Sequence, residues 1–408
     1  MKSAVLPLSG YQKFVIAILA FLQFTVILDF MIMAPLGAVI MPALQINPGQ
    51  FGLAVSVYAF SAGAAGLLAA GFSDKFDRKK LLLFFYFGFL IGTLLCGLAP
   101  TYEFLLGARL LTGLFGGVIG SICFAIVVDL FPIEMRGRVM GFLQTAFAAS
   151  QILGLPIGLF LSNHWGWHTP FIAIVAIGLI GGIAIVVKLR PITDHLAFQK
   201  ESNPLKHLFS TLLNSRYILA FAATGLLSIG GYMLMPFGSA FTVNNLKIPI
   251  EDLPLIYLVS GIASILIGPF VGKMSDRFGP FRIFCFGSVV GVAMVIYYTH
   301  MGPSSLPVVM LVNVLMFVGI FSRMIPSQAM ISVLPEPSNR GAFMAVSASL
   351  QQIAGGLAAV VAGRVVSADP TGRLLHFDTL GWVMTGIAAT AVVLIYFLHR
   401  MVSNSLPR

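Results

Sequence analysis

Thirteen of the fourteen acidic residues in this chain lie in or beside short polar stretches; Asp29, in ILDFMIMAPLG, is set deep within an apolar run. A carboxylate so placed costs on the order of several kcal/mol as an anion unless it is paired or protonated. Desolvation opposes its charge and an adjacent cation favours it, and a proton carrier that alternates between two environments requires both effects. Two arginines are set in the same way, Arg109 in GARLLTGLFGG and Arg323 in GIFSRMIPSQ. Asp29 and Arg109 are expected at depths about 6 Å apart at 1.5 Å per residue, close enough to meet as a proton-coupling pair or as a static pair holding helices together. Arg323 lies deeper, with no acid at its level, so it must face water, a helix end or an anion. A negatively charged substrate group is one partner open to it; carbonyls near Pro326, or Gln328, are another.

Other chemistry is poorly served. There is no GxSxG, HExxH or CxxC, and Cys96, Cys123 and Cys285 fall within apolar runs as small packing residues. His164 and His168 have i, i+4 spacing but flank Gly166 between two tryptophans, which suits an interfacial loop and no metal. Gly268–Lys273 is one residue short of a phosphate loop, and Met274 stands at its Ser/Thr position. No cofactor and no enzymatic constellation is expected.

The elements that hold Asp29 and the arginines follow from composition. The chain is 58% hydrophobic and 9% charged, with mean hydropathy +0.97, whereas soluble domains run at about 45–50% and about 25%. Its partner is a lipid bilayer. Apolar runs of about 20 residues, the length that crosses about 30 Å of hydrocarbon, recur at 12–38, 51–71, 81–99, 104–128, 140–161, 169–188, 217–238, 253–272, 282–300, 306–330, 341–366 and 380–400. Continuous apolar runs exclude an alternating β-barrel, so the expected fold is an all-α integral membrane protein with twelve transmembrane helices. Lys75, Arg78, Lys79, Lys80, Arg136, Arg138, Lys188, Arg190, Lys273, Arg277, Arg282 and Arg340 fall on one side, against Lys247, Arg364 and Arg373 on the other. That asymmetry places both termini in the cytoplasm, with an uncleaved first helix, and accounts for the net charge of +10 without nucleic acid. Trp165, Trp167 and Trp382 fall at the opposite ends, as interfacial anchors.

Phe51–Phe76 overlays Leu253–Phe278 at a constant offset of 202, the distance from Asp74 to Asp276. Pro35-Leu36-Gly37 and Pro236-Phe237-Gly238 keep nearly that register, as do FPIEMRG around Arg136 and LPEPSNRG around Arg340. The chain therefore reads as a duplication of six helices: an N-terminal bundle over 1–190, a cytoplasmic linker over 191–216 and a C-terminal bundle over 217–408. The repeat equivalent of Asp29 is near Gly230, so only the first half carries the acid.

With GFSDKFDRKK after helix 2 and GKMSDRFGPFR after helix 8, the chain resembles the major facilitator superfamily across essentially its whole length. Ala70 and Asp77 stand where that family's motif has glycines; the second copy keeps both, as Gly272 and Gly279. The resemblance implies two pseudo-symmetric bundles with a substrate site between them near the midplane. It implies gating roles for Asp74, Arg78, Asp129, Asp276, Arg277, Arg136 and Arg340, with Arg78 pairing to Asp129 and Asp74 reaching helix-terminal amides of the other half, helix 11 being a candidate. Arg109 resembles the helix-4 motif, with Thr112 in place of the usual glutamine. Gly154, Pro156 and Gly158, after Gln151, resemble the helix-5 motif of the superfamily's antiporters, with Leu155 interrupting the usual Gly-Pro. Substrate-facing candidates are Gln23, Tyr58, Phe115, Gln144, Gln151, Tyr232, Met235, Tyr257, Phe321, Gln351, Gln352 and Arg323.

The function so implied is proton-coupled antiport by alternating access, exporting small amphipathic compounds, from a monomer in a bacterial inner membrane. Protons and a small molecule would be its partners. A carrier for one sugar or organic anion, with Arg323 as anchor, and a non-transporting membrane sensor are the alternatives.

Overall fold

The computed structural model describes residues 8–69, 72–198, 208, 210–336 and 339–405. Twelve helices long and apolar enough to cross a membrane occur among them. In chain order these are α1 (Gly10–Ile32), α2 (Pro48–Ala69), α3 (Arg78–Gly97), α4 (Tyr102–Leu130), α5 (Ile133–Trp165), α6 (Thr169–Lys188), α7 (Ser215–Tyr232), α8 (Leu253–Phe278), α9 (Pro280–Thr299), α10 (Leu306–Ser332), α11 (Arg340–Val365) and α12 (Phe377–Ser405). A two-stranded antiparallel ribbon, β1 (Ser367–Ala368) with β2 (Leu374–Leu375), joins α11 to α12 in the register Ser367 opposite Leu375.

Local chemistry sets the ends. Ser9 and Gln12 form a capping box at the start of α1, and Thr101 accepts from the Phe104 amide at the start of α4. Gly279, at φ 90°, ends α8 and begins α9 without a Cβ penalty. Helices 1 and 7 stop earlier than hydropathy alone predicts. α1 ends at Ile32 rather than at 38, and α7 at Tyr232 rather than at 238. Each then passes through a turn and restarts as a short helix, Gly37–Ala43 or Gly238–Asn244. Pro35 and Pro236 account for both breaks, because proline disfavours helical backbone in the residue before it and lacks the amide that would continue the ladder. The sequence match between the two Pro-x-Gly segments is thus a match of function within the fold.

One end of the molecule carries the α2–α3 and α8–α9 turns, the start of α1 and the 190–198 segment, where the Tyr11 hydroxyl accepts from the Arg190 amide. We call it the basic end. At the opposite end the halves are closed on each other. A Cβ at Gly52 of α2 would stand 2.5 Å from the Ala359 carbonyl oxygen of α11, and Ser56 donates to the Gly356 carbonyl at 2.8 Å. Ser239 donates to Ala34 across the two Pro-break turns, Asn163 donates to Ile250, and Phe51 packs edge-on to Phe237. Small residues permit this backbone approach, which in lipid replaces the hydrophobic effect as the source of helix association.

Toward the basic end α5 and α8 part. α8 packs on the π turn and the far half of α5, where Gly261 meets Ile152, and only sparsely on Ile133–Ala149. Gly137 and Gly141 of α5, and Gly268 and Gly272 of α8, have nothing near where a side chain would begin. Buried apolar residues divide accordingly: one core runs through the first half and the closed end, and a second gathers Tyr217, Phe221, Phe284 and Phe343 at the basic end of the second half. Along the other seam α2 stays on α11 as far as Gly66 and Ser349, and Leu67 packs on the second-half cluster, so the parting at the basic end is between α5 and α8.

Candidate functional site

Asp29 lies three residues before the end of α1, nearer that end than hydropathy predicts, and it is fully buried. Arg109 enters from α4, also fully buried, and its Nη1 donates to Asp29 Oδ2 at 2.9 Å. The same nitrogen lies 3.5 Å from the Asp29 carbonyl oxygen, and Thr93 of α3 donates its hydroxyl to Asp29 Oδ1 at 3.1 Å. The Arg109 guanidinium carbon sits 4.4 Å from the centroid of the Tyr58 ring, whose electron-rich face favours a cation. Nε and Nη2 of Arg109 make no hydrogen bond among the described residues. Thr112 turns its hydroxyl to the Ala108 carbonyl and lies 3.7 Å from Cys96 Sγ. The pair therefore joins α1, α3 and α4 in the first half, and among the described residues the Asp29 carboxylate is the one anion in contact with a guanidinium that keeps spare donors.

From this pair aromatic rings lead toward the second half. Tyr58 is 5.2 Å from Phe30, and Phe30 is 6.0 Å from Tyr232 of α7, which lies against Gly355 of α11. Tyr58 and Tyr232, nominated separately, belong to one wall that bridges the halves. Phe30 in that bridge and Thr93 beside the acid were not foreseen: Phe30 is one of thirty-five phenylalanines, and a lone threonine on an apolar helix carries no signal of its partner.

Helix 5 supplies the second feature. Its ladder loosens into a π turn at Ser150–Gly154, where Ser150 donates to both Ala146 and the Phe24 carbonyl of α1, and Gln151 is buried. Gly154 admits Leu28 and Gly158 admits Ile32, each closer than a side chain would allow. With Pro156 at the start of the continuing helix, this stretch seats α5 directly on the turn of α1 that carries Asp29.

At the basic end, Arg78 is buried and donates through Nε to Asp129 at 2.9 Å, through Nη2 to Asp74 at 2.8 Å and through Nη1 to the Ser73 carbonyl. Asp77 caps α3 by accepting from the Lys79 amide and also accepts from the Ile192 amide, while the Arg78 amide donates to the Ile192 carbonyl. His195 adds Nε2 to the Phe76 carbonyl and places Nδ1 3.5 Å from Asp129. An aspartate where a glycine was expected thus clasps the segment that leaves α6. Ala70 and Gly71, the motif's first positions, and residues 199–207 lie outside the described residues.

Several nominated residues do other work. Arg136 donates to the Phe131 and Val128 carbonyls, capping the end of α4. Phe115 packs against Phe84, Phe85 and Gly88 between α3 and α4, away from the interface of the halves. Asp276, Arg277 and Arg340 are exposed, Arg277 lying over the Phe278 ring; Pro280 replaces the counterpart of Arg78, and among the described residues Asp276 and Arg277 form no ion pair like those of the first motif. Gln144 is exposed, and Phe321 stacks on Phe317. Gln352 packs by its Cβ near Gly63, Gln23 reaches toward Gly120, and Met235, Tyr257 and Gln351 are half-buried. Trp165 and Trp382 are more than half exposed as anchors, but Trp167 is buried and stacked on His168. Among the described residues no cluster of three or more His, Cys, Asp or Glu exists that would hold a metal. Arg323 faces a small cavity between α7, α9, α10 and α12.

The family model described as Major Facilitator Superfamily matches residues 19–359. Over 389 residues the chain is 26% identical to YceJ, an uncharacterized MFS-type transporter of Bacillus subtilis (strain 168), covering 94% of this chain and 95% of that one. It is 28% identical to multidrug resistance protein MdtG of Klebsiella pneumoniae (strain 342) over 60% of each. Among solved structures, the nucleoside transporter NupG aligns with TM-score 0.76 at 16% identity, covering 95% of this chain and 99% of that chain. A bacterial homologue of the human lysosomal transporter Spinster, inward-facing and occupied, aligns at 0.71 and 14%, covering 98% of each. At such identities the structural likeness speaks to the fold.

Proposed function

This chain belongs to the Major Facilitator Superfamily, and from that premise we propose that it is a proton-coupled antiporter exporting small amphipathic compounds by alternating access. The observation that carries the proposal is the buried Asp29–Arg109 pair, present in the first half and replaced near Gly230 in the second. A buried ion pair contributes little net stability compared with apolar packing, so its presence argues for use. The basic end faces the cytoplasm by its excess of lysine and arginine, and the parting of α5 and α8 there is where substrate would enter from inside.

In this conformer Asp29 is sealed and held by Arg109. Rocking the halves about the midplane would open the far end along α2 and α11 and loosen the Tyr58–Phe30–Tyr232 bridge beside the pair. Asp29 would then take a proton from outside while substrate leaves, and the return would deliver that proton inward as Arg109 reclaims the carboxylate. The Arg78–Asp129–Asp74 cluster would keep the α2–α3 turn rigid at the cytoplasmic gate. The name of MdtG, a multidrug resistance protein, supports the export reading.

The test is purified protein in vesicles loaded with a pH-sensitive dye, challenged under a proton gradient with lipophilic cations, organic anions and sugars. Proton movement triggered by lipophilic compounds is the expected result. Saturable flux of one sugar or anion with no proton movement would contradict the proposal.

A further inference from the structure

Arg323 lies within α10, where a charge requires a partner, and its Nε and Nη2 are buried with no hydrogen bond among the described residues. Neither the Pro326 region nor Gln328 supplies one. The cavity it faces is lined by Gly230 of α7, by Gly291, Val292 and Val295 of α9, and by Met384, Thr385 and Ala388 of α12. None of these side chains is acidic, and the Thr385 hydroxyl is turned to the Gly381 carbonyl.

The duplication explains what is missing. In the register that matches Pro35 to Pro236, Asp29 corresponds to Gly230; in the register that matches Asp74 to Asp276, Thr93 corresponds to Val295. Two wall positions of this cavity, Gly230 and Val295, are therefore the repeat equivalents of the carboxylate and its supporting hydroxyl in the first half. The second half keeps a buried guanidinium, brought from deeper on α10, and lacks the built-in anion. Space for one remains: a Cβ at Gly230 would find its nearest neighbour, Ile387 Cγ2, at 3.8 Å.

We propose that Arg323 and the cavity beside Gly230 form a binding site for a small monovalent anionic group, either the carboxylate of a bound compound or a free inorganic anion. The cavity has room for about one water-sized group, so a single-atom anion would fill it and a carboxylate would enter by one oxygen. A carboxylate oxygen or a halide there would accept from the buried Nε and Nη2 of the guanidinium. The site is independent of the proton-coupling role of Asp29, which is in the other half.

The experiment uses the full-length protein in detergent, in a buffer whose anion is a bulky sulfonate. Sodium chloride and sodium benzoate are added separately at matched ionic strength, with thermal unfolding and binding of radiolabelled benzoate and chloride as readouts. The wild type should gain several degrees in Tm with one or both anions; chloride alone identifies a free ion, benzoate a carboxylate ligand. Arg323→Gln should be at least as stable as wild type without anion, and it should bind the stabilising anion at least about tenfold more weakly, about 1.4 kcal/mol. Gly230→Asp, which restores the first half's arrangement, should raise Tm in the anion-free buffer and remove the response. A wild type that binds neither anion, or a response that survives Arg323→Gln, overturns the proposal.

Discussion

Replacing Asp29 by Asn removes the anion but leaves an oxygen for the Thr93 hydroxyl. Arg109 then loses its 2.9 Å ionic bond and keeps the Asp29 backbone oxygen at 3.5 Å and the Tyr58 ring at 4.4 Å. Those remaining contacts exist before and after, so they do not enter the difference. An uncompensated buried charge of this kind costs about 3–5 kcal/mol. Arg109→Gln strands the carboxylate instead and should cost about the same. Two independent losses would sum to about 6–10 kcal/mol. The double variant holds neither charge, and Asn and Gln can bond to each other, so it should recover at least about 2–3 kcal/mol of that sum. At about 1–2 °C per kcal/mol for a chain this long, scaled from smaller domains, each single change lowers Tm by about 3–10 °C. The assay is thermal unfolding of all four proteins in one detergent. A double variant that falls by the full sum would refute the reasoning, because the two groups would then be uncoupled.

Exchanging the partners at the basic end, Arg78→Asp with Asp129→Arg, should restore part of the transport lost in either single change, measured by uptake in vesicles. Unimpaired singles would remove the gate cluster from the account. Asp77→Gly, which restores the residue expected there, should cost only a few tenths of a kcal/mol of capping but release the backbone at Ile192, read as faster proteolytic cleavage near residues 190–198. At the closed end, Gly52→Leu should drive α2 from the Ala359 carbonyl at about 1–3 kcal/mol. A cysteine placed at Phe30 should then be labelled faster by an impermeant maleimide added from the far side; unchanged labelling would show that this contact does not hold the end shut.

Charge was the most legible feature of the sequence. Asp29, Arg109, Arg78 and Asp129 stand out because an ionised group among apolar residues must find a partner, and the structure joins them in the two pairs expected. The twelve spans and the duplication were legible for a related reason, since lipid demands long unbroken apolar helices. Helix ends were less so, because apolar residues continue past Pro35 and Pro236 while the backbone turns. Facing directions were the hardest to read. Phe115 sits between α3 and α4, and Phe30 bridges the halves, yet both are apolar residues on apolar helices. Lipid and protein interior accept such residues alike, so hydropathy does not say which side of a helix meets a neighbour. The carbonyls that Arg136 caps were not legible, because a basic residue near a helix end serves its own helix's carbonyls as readily as another element. Arg323 was legible as a problem, and its surroundings became visible through the fold.

The most direct test of the central claim compares two transport modes of wild type and Asp29→Asn in the same vesicles. One is accumulation of a substrate driven by an imposed pH gradient; the other is exchange of that substrate between the two sides with no gradient. The account predicts that Asp29→Asn abolishes gradient-driven accumulation, at least about a hundredfold, while exchange persists, because the halves still rock and the substrate site is intact. Gradient-driven accumulation at the wild-type rate in Asp29→Asn would contradict it, and the Asp29–Arg109 pair would then be a structural tie.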